Sequence, residues 1–259
     1  MRRNAGRLFT GAALLAGFAL LGPLGAADLS DDEFKGLVEQ DAKTIAKAVA
    51  AVEKAKDKKT TEQRAAGGVK SAAMLVATYA NARIGGKNAT ADAQAAAVRD
   101  AALHVMKAAG TKDFKAVADA AKEMGEAKPA AEAKKIDLAK EFAEATVDDS
   151  MHAFKKTAQF GNGGEDEIKA NAKKATMKPD AVVALANRVL ALAELSKMIT
   201  KGENEAKKKE WAGYNARMEK AAEELLKAAK AKKTGPELAK AFTAVNAACT
   251  TCHSAFKGE

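Results

Sequence analysis

Four prolines in 259 residues, placed where they are, leave this chain little besides helix to fold into. Pro23 lies in an N-terminal apolar segment, while Pro129, Pro179 and Pro236 each stand just before or at the start of an apolar-periodic stretch. A helix tolerates proline best at that position, where the missing N–H has no intrahelical partner to lose. Between these points alanine, lysine and glutamate dominate, glycine is sparse, and apolar residues never alternate with polar ones for long. The expectation is an all-α protein. Helices are predicted at 31–55, 61–84, 90–109 and 112–125, then, after the break "GEAKPAAE", at 131–159, 179–200, 203–231 and 236–256. The loop "FGNGGEDE" leads into a shorter helical piece at 166–176.

Four helices followed by four suggest two tandem four-helix bundles, over 28–127 and 128–259. Residues 101–124 resemble 221–249, as a duplication would, with Val105-Met106-Lys107 over Leu225-Leu226-Lys227. Extending that alignment sets Met124, Ala127 and Lys128 opposite Cys249, Cys252 and His253. Whatever the C-terminal trio does, the first bundle has no counterpart.

At the N-terminus, Arg2, Arg3 and Arg7 precede an apolar run from Leu8 to Leu21 and the small residues Gly25-Ala26-Ala27. This is the pattern of a secretory signal peptide over 1–27, cleaved after Ala27, and it predicts export to the periplasm. A spanning helix would need about 20 apolar residues. Cleavage takes three arginines and no acids, leaving a net charge of +6 from +9. The lysines are interspersed with acids along helical faces, and aromatic residues make up only 5% of the chain, so nucleic-acid binding is set aside.

The two cysteines, Cys249 and Cys252, close only a tiny loop if joined, which stabilises little. In "PELAKAFTAVNAACTTCHSAF", Leu238, Phe242, Val245, Cys249, Cys252 and Phe256 recur at spacings of three and four. Both thiols therefore fall on the inward stripe of one helix, with His253 at i+4 from Cys249. C-x-x-C-H is the attachment signature of haem c: thiols bond the vinyl groups and the imidazole bonds iron. A closed zinc site wants four ligands, and His104 and His152 would have to come from other elements. A thioredoxin-type pair wants a βαβ setting.

A bundle whose last helix carries this motif almost at the chain end resembles the cytochrome c prime family. The segment from Trp211 to Gly258 is similar to the family's last two helices throughout, and "SMHAFKKTAQFGNGGEDEIKANAKK" to its larger exported members. The resemblance implies that Cys249 and Cys252 attach haem c and that His253 is the proximal iron ligand. It also implies that the sixth coordination position faces the first helix of the haem bundle, where either an apolar residue or a methionine stands.

In that helix Val147, Met151, Phe154 and Ala158 form an inward stripe, so Met151 is the candidate sixth ligand, with His152 at the stripe's margin as the alternative. Trp211 and Tyr214 share a stripe facing the last helix and are candidate walls of the haem site. Arg188 is a candidate propionate partner, with a solvated arginine as the other reading, and His104 reads as structural. The function expected is electron transfer between redox partner proteins, acidic surfaces being favoured by the positive charge, with a homodimer plausible from the apolar helix faces. The alternatives are a five-coordinate haem protein that binds nitric oxide or carbon monoxide, and a helical interaction module with a structural haem. No distal histidine and arginine pair suggests a peroxidase, and the protein is not expected to be an enzyme.

Overall fold

The computed structural model describes residues 29–86, 88–156, 158, 160–199 and 205–256. The signal peptide expected over 1–27 lies outside the described residues. Among those described there are helices and no strands: α1 (Asp31–Lys54), α2 (Lys58–Arg83), α3 (Ala89–Gly110), α4 (Phe114–Gly125), α5 (Leu138–Glu141), α6 (Val147–Met151), a 3-10 turn (His152–Phe154), α7 (Gly164–Lys173), α8 (Pro179–Met198), α9 (Glu205–Lys230) and α10 (Gly235–Phe256). No helix among them is long and apolar enough to cross a membrane.

Local chemistry explains where the helices begin. Ser30 and Glu33 form a reciprocal capping box on α1, and Asp57, Asn88 and Asp113 accept from backbone N–H groups in the first turns of α2, α3 and α4. Each supplies an acceptor to donors that the helix itself leaves unpaired. Pro179 opens α8 at its first turn, as its fixed φ allows.

The first four helices pack in a closed cycle: α1 on α2 and α4, α2 on α3, and α3 on α4. In the second half α8 packs on α9, α9 on α10 and α10 on α7. The halves meet along α2 and α8. Both are buried nearly all round, Ser71 to Ala80 in α2 and Leu185 to Ala193 in α8, so neither is the one-sided helix of a bundle standing in water.

A charge network lies in this contact. Arg188 of α8 meets Asp41 of α1 through Nε at 2.9 Å and Nη2 at 2.7 Å, and its Nη2 donates to Gln40 Oε1. Tyr79 of α2, fully buried, donates to the other Asp41 oxygen at 3.2 Å. Burial raises the Tyr79 hydroxyl's pKa well above its ordinary range, and the neighbouring carboxylate adds to that, so the ring stays a neutral donor. The arginine that the sequence offers to solvent or to a propionate is thus committed to the junction of the halves.

The long helix expected at 131–159 does not form. Residues 126–137 run as a strap across α2 and α3, and only the short α5, α6 and the 3-10 turn follow. The strap's backbone groups find partners on distant side chains in place of a helical ladder. Asn81 accepts from Ile136 N at 3.0 Å and donates to Ile136 O at 3.1 Å, Arg99 donates to Lys134 O, and Gln94 donates to Ala127 O. Tertiary bonding overrides a helical propensity that is worth only tenths of a kcal/mol per residue. Farther on, Ser71 of α2 accepts from Ala153 N at 2.8 Å and donates to Ser150 O at 2.9 Å. Gly67 and Gly68 make room beside it: a Cβ on Gly68 would stand 2.3 Å from the Phe160 carbonyl oxygen.

Removing one member of a buried ion pair leaves the other charge uncompensated. Asp41→Asn is expected to lower the unfolding free energy by about 3 kcal/mol, measured by urea titration. A loss below about 1 kcal/mol would mean that Arg188 is solvated in the folded protein.

Candidate functional site

Helix α10 is laid into the trough between α7 and α9 by its apolar stripe. Leu238, Phe242, Val245 and Ala248 are buried. Thr243 Oγ1 donates to Ala172 O of α7 at 3.3 Å and to its own Ala239 carbonyl. Toward the helix's end burial relaxes, and Cys249, Cys252, His253 and Phe256 are half-buried, so the inward stripe read from the sequence continues but opens toward solvent. The far end is held by aromatic edges. Phe256 meets Trp211 at 5.1 Å and Tyr214 at 5.4 Å between ring centroids, both close to perpendicular, the arrangement that ring quadrupoles favour. Trp211 is buried and donates to Ser196 O of α8 at 2.8 Å, which fixes the ring.

The two thiols are not joined in a disulfide. Cys249 packs against the core, and burial, reinforced by neighbouring Cys252, pushes its pKa up to about 11. Burial also raises the Cys252 thiol's pKa, against the pull of the nearby Arg217 guanidinium. Both sulfurs are therefore protonated at neutral pH, unlike the exposed, electropositive thiolates of redox catalysts. On the α7 side Lys169 and Glu165 pair at 2.5 Å within electrostatic reach of Cys249.

The donor set fits haem c. Two thiols one helical turn apart and an imidazole beside them would supply both thioether attachments and an axial nitrogen from one helix face. Among the described residues no three His, Cys, Asp or Glu side chains converge as the ligands of a metal ion would.

Met151 and His152, the sixth-ligand candidates of the sequence, stand at the end of α6 and the start of the 3-10 turn. Helix α6 leans on α2 and α8, and the 3-10 turn on α2 and α7. Met151 is half-buried against the core. His152 pairs with Asp148 at 3.0 Å, and its ring lies so close over Gly67 that a Cβ there would stand 2.3 Å from Nδ1. His104 is exposed on the surface of α3. Arg217 and Lys169 were not marked by the sequence as part of this site. The signal for Arg217 was its i, i+3 spacing from Tyr214, over whose ring the guanidinium lies at 4.3 Å.

A thiol whose pKa is higher in the folded than in the unfolded protein withholds no stability below its unfolded value and withdraws it above. For the haem-free chain, the Cys249 contribution is expected to be intact below about pH 9, the ordinary thiol value here, and lost as pH rises toward about 11. Alkylation followed by mass spectrometry at pH 8 should modify Cys252 ahead of Cys249. Faster modification of Cys249 would contradict its burial. Compared with models of known protein families, with curated proteins and with solved structures, the chain matches none of them.

Proposed function

We propose that this is an exported c-type cytochrome of tandem helical bundles, in which Cys249 and Cys252 carry haem c, His253 is the proximal iron ligand, and the activity is electron transfer. The observation that carries the reading is the placing of two unjoined thiols and an imidazole along one half-buried face of α10, between α7 and α9. Cys249 and Cys252 would hold the group through thioethers, each S–H adding across one vinyl group with sulfur to one carbon and hydrogen to the other, so that attachment would consume both thiols and need no oxidant. When bound, the iron supplies a one-electron couple. The chain's part is to hold that cofactor between fixed aromatic edges while leaving the end of α10 accessible to a partner. Trp211, anchored on Ser196, and Tyr214 form the α9 wall, and Phe256 locks α10 to it.

A specific observation favours a second reading. His152 is engaged by Asp148 and Gly67, and α6, which ends at Met151, leans on α2 and α8. An iron that receives neither side chain would be five-coordinate and would bind nitric oxide or carbon monoxide.

Optical spectra of the ferric and ferrous protein, with and without carbon monoxide, for the unaltered chain and for Met151→Leu, separate the two. A six-coordinate low-spin spectrum that turns high-spin in the variant is the result expected for a methionine-ligated carrier. Ready carbon monoxide binding by the unaltered protein, unchanged in Met151→Leu, assigns the chain to gas binding instead.

A further inference from the structure

The first bundle holds a cavity that the haem reading does not use. It measures about 490 Å³, is partly open to solvent, and lies where α1, the start of α3 and the end of α4 come together. Phe34, Val38, Val98 and Met124, all buried, line it as apolar walls, and Arg83 of α2 is its buried cation. The Arg83 guanidinium lies over the Phe34 ring at 4.9 Å, and that ring stands edge-on to Tyr79 at 5.9 Å between centroids. Packing therefore orients the guanidinium plane without using its N–H groups.

Arginine's side-on fork, Nε with Nη2, suits a carboxylate, and both of those atoms of Arg188 reach Asp41. At Arg83 the fork is half filled. Nη1 donates to Leu29 O and Nη2 to Asp31 Oδ1, while Nε is buried with no partner among the described residues. A buried donor left unpaired costs free energy that an added acceptor would recover. The Asp31 side chain is 71% exposed, so it holds the guanidinium only as a surface carboxylate does. Apolar walls around one oriented charge are the make-up of a small-molecule site. Glu39 and Glu126 also line the cavity, against Lys35, which disfavours a ligand with two negative charges.

We infer that this cavity binds a small monocarboxylate with a compact apolar body, whose carboxylate displaces Asp31 and takes Nε and Nη2 of Arg83 together. The body lies against Val38, Val98 and Met124. Asp31 is then an internal competitor for the fork, and removing its charge strengthens binding. The site stands in the half of the chain without the cysteines and is independent of the haem reading.

The test is isothermal titration calorimetry of the purified protein with phenylacetate, and with phenylacetamide, which has the same body and no charge. Phenylacetate is expected to bind at least about tenfold more tightly than the amide. Arg83→Gln would also release the Leu29 carbonyl and disturb the start of α1, so the informative variants are at more exposed positions. Asp31→Asn is expected to tighten phenylacetate about threefold. Ala91→Trp, which sets an indole against the cavity from the first turn of α3, is expected to weaken it at least about tenfold, with helix content by circular dichroism unchanged. Absence of saturable phenylacetate binding below about 10 mM overturns the inference. Equal affinities for acid and amide do so as well, as does a lack of tightening in Asp31→Asn or inorganic phosphate binding as tightly as phenylacetate.

Discussion

The buried pair between Arg188 and Asp41 joins residues 147 positions apart, and the placing of the C-terminal helices depends on it. Two charges taken out of water cost several kcal/mol each unless they meet with good geometry and full hydrogen bonding. Here the guanidinium makes two contacts with one carboxylate oxygen while Tyr79 donates to the other, which fixes α8 in one register against α1 and α2. Such a pair is better read as a device that selects one arrangement than as a net source of stability. From α8 the placement passes to α9, through Trp211 on the Ser196 carbonyl and Lys197 on Glu219, and from α9 to α10 through the aromatic edges around Phe256. The helix that bears both cysteines is thus positioned by contacts that begin in the half of the chain without them.

Periodicity and helix-start chemistry located α1 to α4 and α7 to α10 to within about three residues, because their signals are local: a capping side chain, a proline in the first turn, an apolar residue every third or fourth position. The inward stripe of α9 through Trp211, Met218, Ala222 and Leu225 was legible for the same reason, and each of those residues is buried. The strap at 126–137 was not. Its alanines and lysines favour helix, and what prevents it is a set of partners, Asn81, Gln94 and Arg99, that stand dozens of positions earlier. No window of sequence contains both sides of those bonds. The position of Arg188 failed in the same way, since a guanidinium among leucines declares neither its partner nor its burial. The apolar runs of residues 71–80 in α2 and 182–193 in α8 were present in the sequence and mark segments enclosed on every side.

At the candidate site, sequence gave the reactive groups and the structure gave their setting. The spacing of Cys249, Cys252 and His253 establishes that a helix displays them together, while only the packing reveals how far the burial extends. Deep burial along α10 as far as Ala248, followed by half-burial, keeps the sulfurs protonated yet reachable. The same opening brings Arg217 and the Glu165–Lys169 pair to the rim, groups that arrive from α9 and α7 and have no signature beside the motif.

The central claim is that these two sulfurs are thioether attachments, and the most direct measurement is the mass of the C-terminal peptide from protein purified after export by a host that matures c-type cytochromes. The account predicts one haem per chain, retained after denaturation and located on the peptide holding Cys249 and Cys252. That peptide at its unmodified mass, with both thiols titratable, would contradict it.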